Sequence, residues 1–117
     1  MSYNPGLHVL AELRVTEPAL LLSGTAFHSF IDNTIEMLSL TKVGEAYHDF
    51  PGGGFTAVVC LTESHLSIHT WPEYGLATFD VFLSNYKQVN DETTRRLFEM
   101  TRSFFEAEIA NYHEIKR

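Results

Sequence analysis

An α+β fold, with an antiparallel-rich sheet and two helices packed on one of its faces, is what the sequence predicts. Three observations carry that reading. Several segments alternate apolar and polar residues with the period of a strand, and two others repeat at helical spacing. The order is strand, helix, two strands, an extended polar stretch, strand, helix, strand, which differs from the strict alternation of a parallel α/β fold. The 117 residues suffice for one core, so residues 1–117 are expected to form a single domain.

The first strand is expected over 7–15, with Leu7, Val9, Ala11, Leu13 and Val15 on one face and His8, Leu10, Glu12 and Arg14 on the other. Thr16-Glu17-Pro18 ends it. From about 24 to 39, Phe27, Phe30, Ile31, Thr34, Ile35 and Leu38 make one apolar stripe, with Ser23 as the expected N-cap. A second strand follows from about 42 to 50 and stops at Pro51-Gly52-Gly53-Gly54, a tight turn. A phosphate-cradling loop is the weaker reading of those glycines, because neither a Lys-Ser/Thr pair nor a helix follows.

Phe55 to Leu61 and Leu76 to Leu83 read as further strands, and 85–90 as a polar loop. Asp91 is the expected cap of a second helix, with Thr93, Leu97, Met100 and Phe104 aligned, and the tail from about 106 to 115 can add a last strand. With both helices on one face, the other face needs a cover. Phe55, Phe79, Phe82 and Leu10 are its candidates, and a second copy of the chain is the simplest partner.

Composition narrows the function. The net charge of −7 argues against nucleic acid or an anionic membrane as partner and mildly favours a cationic ligand. No apolar run is long enough to span a bilayer and the N-terminus lacks a secretion signal, so the cytoplasm is expected. The single cysteine, Cys60, agrees with a reducing compartment.

The chemistry concentrates in Thr62–Glu73, which holds two histidines, two serines, two glutamates and the only tryptophan in twelve positions. Buried polar groups need partners, so an ordinary core strand is not built this way. Metal binding by His65 and His69, with His48 as third ligand, is disfavoured because the stretch reads as extended and no cysteine pair exists; no metal is expected. A serine hydrolase using Ser64 or Ser67 lacks the Gly-x-Ser-x-Gly elbow. A sheet edge whose polar residues merely satisfy one another is the plain alternative.

A third chemistry has Ser64 attack its own chain. Its hydroxyl adds to the Glu63 carbonyl if that bond is held strained, and the amide becomes an ester. A base such as His69 then removes the serine α-proton, and elimination followed by hydrolysis leaves a pyruvoyl group. Such a ketone captures a substrate amine as a Schiff base and accepts electrons as carbon dioxide leaves. Spacing alone does not select among these readings.

The run Glu63-Ser64-His65-Leu66-Ser67-Ile68-His69-Thr70-Trp71-Pro72-Glu73-Tyr74-Gly75 closely resembles the self-cleavage segment of the prokaryotic, pyruvoyl-dependent S-adenosylmethionine decarboxylases. The likeness continues through Asp80-Val81-Phe82, Tyr47-His48-Asp49-Phe50-Pro51, Gly54, Gly6-Leu7-His8 and Ala11-Glu12. It implies a two-layer α/β sandwich and cleavage between Glu63 and Ser64, giving a β chain of 1–63 and an α chain of 64–117 that begins with the pyruvoyl cofactor. It further implies that His69 assists processing, that Phe50 stacks on the substrate's adenine and Glu73 binds its ribose, and that protomers pair with sites near the interface. The implied role is S-adenosylmethionine decarboxylation in polyamine (spermidine) biosynthesis.

Two positions depart from the family pattern. Ser84 stands where the family carries its proton-donating cysteine, and a hydroxyl is a far weaker acid than a thiol. Thr56-Ala57 replaces the usual Ser-Gly, so Thr56 keeps the hydroxyl used in processing but adds methyl groups. Decarboxylation of a basic amino acid such as ornithine or arginine is the alternative reading, and an unprocessed ligand- or partner-binding homologue is the third.

Overall fold

The computed structural model describes residues 2–117. Six strands form one antiparallel sheet: β1 (Leu7–Arg14), β2 (Lys42–Asp49), β3 (Phe55–Leu61), β4 (Ser64–Trp71), β5 (Leu76–Leu83) and β6 (Glu108–Lys116), in the spatial order β2-β3-β4-β5-β1-β6. The polar stretch is therefore a strand. Its Leu66, Ile68 and Thr70 face inward, while His65, Ser67, His69 and Trp71 face outward. Three helices, α1 (Ala19–Leu22), α2 (Thr25–Met37) and α3 (Asp91–Phe104), cover the inner face, and a 3-10 turn at Pro72–Tyr74 links β4 to β5. The fold class holds: an α+β two-layer sandwich, with the short α1 added. No helix among the described residues is long and apolar enough to cross a membrane.

The core lies between sheet and helices. Phe27 of α2 stacks on Phe105 and meets Phe55, at ring separations of 6.1 and 5.8 Å. Phe79 packs towards Phe98 of α3 at 6.5 Å. Phe55 and Phe79 are thus core residues of the helix-covered face, and only Phe82 and Leu10 of the four expected belong to the open face. Strand alternation decides this, since Ala57, Ile68, Phe79 and Ala11 align across one row and carry Phe55 with them.

Other boundaries move by small amounts for identifiable reasons. α2 begins after Gly24, whose N–H donates to Asp49 Oδ1 at 2.9 Å, so Ser23 is not the cap. α3 begins after Asn90, not Asp91. Asp91 is instead held by Lys116 Nζ at 2.6 Å and Asn85 Nδ2 at 2.9 Å. The buried face of α3 is Thr94, Leu97, Phe98 and Thr101, one residue round from the expected stripe. Both threonine hydroxyls donate to the carbonyl four residues earlier, so burial leaves neither unsatisfied.

Candidate active site

The Glu63–Ser64 junction sits where β3 turns into β4. Ser64 has φ +148°, backbone that costs a non-glycine residue about 1–3 kcal/mol. The Glu63 carbonyl accepts the N–H of Ser84 at 2.7 Å. That contact polarises the carbonyl and offers a donor to the oxygen that turns anionic when a nucleophile adds. Ser64 Oγ lies 3.1 Å from His65 Nδ1. Ser84 follows Leu83, the β5 partner of Ser64, and shares with Glu63 a cleft of about 390 Å³. The role of the Ser84 amide is invisible in sequence, because a backbone donor carries no residue signature.

A second cleft, of about 430 Å³, gathers Phe50, Thr56, His69, Trp71 and Glu73. Thr56 Oγ1 and His69 Nδ1 form a short hydrogen bond. Phe50 leaves its ring half exposed, edge-on to His48 at 4.8 Å. The glycine turn shapes the wall: Gly54 has φ +100°, and a Cβ there would stand 3.1 Å from the Thr70 carbonyl oxygen.

The predicted residues thus fall into two groups. Glu63, Ser64 and Ser84 meet at one end of β4, and Phe50, Thr56, His69 and Glu73 meet at the other. His69 is five positions along the same strand from Ser64, about 16 Å away at strand rise. Within a single chain it does not reach the Ser64 α-proton.

Between the two groups the open face carries a polar network. Cys60, His65, Phe82, His8 and Ile115 align across the sheet, with Ser67, Asp80, Leu10 and His113 in the next row. Asp80 Oδ2 accepts from His8 Nε2 at 2.8 Å and lies 3.6 Å from His65 Nε2, and Asp80 Oδ1 takes a short hydrogen bond from Ser67. Arg117 reaches His8 Nδ1 at 3.2 Å and covers the Phe82 ring. Cys60 stands directly opposite His65 and is exposed. The signal for this network was present as single polar residues on the outward positions of apolar strands.

His65 and His69 share a strand face but lie about 13 Å apart at strand rise, so they do not converge on one ion. The ligand atoms of His8, His65 and Asp80 do lie within 4.8 Å of one another, as do those of His28, Asp32 and Glu45. In the latter group the Lys42 ammonium already sits between Asp32 and Glu45, at 2.9 and 2.5 Å, and opposes a cation.

Against known proteins, the family model described as S-adenosylmethionine decarboxylase matches residues 7–117. The chain belongs to the S-adenosylmethionine decarboxylase family. Its relatives include S-adenosylmethionine decarboxylase proenzymes from Archaeoglobus fulgidus (42% identical over 77 residues, 66% of this chain and 69% of that one) and Picrophilus torridus (39% over 82 residues, 70% and 63%). The proenzyme of Thermodesulfovibrio yellowstonii is 31% identical over 115 residues, 98% of this chain and 82% of that one. The solved adenosylmethionine decarboxylase of Aquifex aeolicus superposes with a TM-score of 0.80 at 28% identity, over 99% of this chain and 91% of its own. Family membership supplies a context for the strained Glu63–Ser64 junction.

Proposed function

We propose that this chain is a proenzyme that cuts itself between Glu63 and Ser64 and, as a pair of processed copies, decarboxylates S-adenosylmethionine for polyamine synthesis. The observation that carries this is the junction itself: a serine at φ +148° whose preceding carbonyl is held by the Ser84 N–H at 2.7 Å. Strain raises the ground state of that linkage, and the amide donor is aimed where negative charge develops. A pyruvoyl group at position 64 fits this place, since it would form from the chain's own serine; as a ketone it supplies an electron sink for decarboxylation.

The clefts support the substrate assignment. An exposed Phe50 ring suits adenine stacking, and the Glu73 carboxylate beside it suits two ribose hydroxyls. The acidic chain, at −7, favours a sulfonium cation over an anion. Ser84, whose N–H donates to the Glu63 carbonyl, is the residue this reading assigns to return a proton to the substrate carbon.

The separation of the two residue groups supports a homodimer. Two open sheet faces packed in opposite directions would bring Phe50, Thr56, His69 and Glu73 of one copy to Ser64 and Ser84 of the other, completing two equal sites. Val58, Trp71 and Ile115 are exposed apolar residues of that face and would be covered.

Intact mass after incubation tests the reading, with fragments of residues 1–63 and 64–117 expected, followed by carbon dioxide release from S-adenosylmethionine. A chain that stays whole, or cleaved protein that releases carbon dioxide from ornithine or arginine but not from S-adenosylmethionine, would contradict it.

A further inference from the structure

We propose that His65 is the base that takes the Ser64 hydroxyl proton in the first step of self-cleavage, with the Asp80 carboxylate, itself held by His8 and Ser67, facing its far nitrogen. The inference rests on the self-cleavage reading above and assigns a residue to a step that His69 of the same chain is too distant to serve.

The hydrogen bonds of His8 and Ser64, with the closer approach of Asp80 to His65 Nε2, fit one consistent set of tautomers. Asp80 is an acceptor only, so His8 Nε2, at 2.8 Å, carries a proton and donates it. His8 Nδ1 is then free to accept from Arg117 at 3.2 Å. His65 Nε2 faces the same carboxylate oxygen at 3.6 Å and is favoured as the protonated nitrogen, which leaves Nδ1 as an acceptor. That acceptor is 3.1 Å from Ser64 Oγ. Serine, imidazole and carboxylate thus stand in the order of a nucleophile, its base and the group that orients the base. Ser67 fixes the other carboxylate oxygen, so Asp80 cannot swing away from His65 without breaking a bond.

The step balances. Ser64 Oγ bonds to the Glu63 carbonyl carbon, its proton passes to His65 Nδ1, and the oxygen becomes an oxyanion facing the Ser84 N–H. Collapse breaks the Glu63 C–Ser64 N bond, and the proton on His65 goes to the departing nitrogen. The products are an ester between Glu63 and Ser64 Oγ and a free Ser64 amine, with no proton or electron gained. Removal of the Ser64 α-proton belongs to the following elimination and to a different base, His69 of the partner subunit in the proposed dimer.

The test is cleavage of full-length H65A, D80N, D80E and H69A, followed by intact mass with and without imidazole or hydroxylamine. H65A should form fragments about 100-fold more slowly or worse, the usual loss for a missing general base, and added imidazole should restore part of the rate. D80N turns an acceptor into a donor, disfavours the productive tautomer and should slow cleavage about tenfold or more, whereas D80E recovers it. Hydroxylamine cuts esters, so it should cut H69A, in which the ester accumulates, and leave H65A whole. Wild-type rates in H65A, a slowed H65A that imidazole does not rescue, or an H65A chain that hydroxylamine cuts would each overturn the assignment. A wild-type chain that never cleaves instead removes the self-cleavage reading on which it stands.

Discussion

Ser84 donates through its backbone to the Glu63 carbonyl, and that contact survives any side chain except proline. Its hydroxyl is a separate matter, because proton return to a carbanion depends on the acidity of the donor. S84C should therefore raise carbon dioxide release from S-adenosylmethionine by about tenfold or more, measured on fully cleaved protein. An unchanged rate removes the side chain at 84 from the reaction. Ser64 stands out in sequence because Glu-Ser-His heads a polar run between apolar strands, and its proposed part as nucleophile comes from the resemblance of that run to the family's self-cleavage segment. What could not be read is what surrounds Ser64, since the amide of residue 84 at the Glu63 carbonyl and the carboxylate of residue 80 facing His65 arrive through pairing with β5.

Among the elements, the loop after β5 and the last strand carry most of the testable stability. Asn85 is buried. It accepts from the Asn90 N–H at 2.6 Å and donates to the Pro5 carbonyl and Asp91 Oδ1, both at 2.9 Å. N85A strands those partners and should lower unfolding free energy by about 2 kcal/mol, read by denaturant titration. A loss below about 0.5 kcal/mol would show that water replaces the side chain. Bonds from Arg95 and then Tyr112 hold the Glu114 carboxyl down to about 2. A lowered folded-state value means stability that is present above the ordinary carboxylate range and lost as pH falls towards about 2. Thermal unfolding of wild type should weaken across that acid window more steeply than that of E114Q, and parallel curves would argue against the pairing. Strands 55–61 and 76–83 were legible to the residue because alternation marks both faces. The loop was not: Asn85 and Asn90 look like surface polarity until their backbone partners are known, just as Thr94 and Thr101 hide a buried helix face behind satisfied hydroxyls.

For the whole molecule, the sheet explains why one motif cannot be one site. Ser64 and His69 are neighbours in sequence, but an extended strand moves them about 16 Å apart, and in the proposed dimer a second chain running the other way would close that gap. A pairing face was expected from the one-sided placement of the helices, and the proposal of a composite site arises only once β4 is known to be a strand. Light scattering should give twice the 13.3 kDa chain mass, with a monomer at micromolar concentration contradicting the pairing. The most direct measurement is to co-express S64A and H69A chains carrying different tags and record the intact mass of the H69A chain. A shared site lets S64A supply the missing imidazole, so about half of the H69A chains, those in mixed dimers, should be cut at residue 64, although neither variant cuts itself when made alone. H69A chains that remain as uncut after co-expression as they are alone would contradict a site built from two copies.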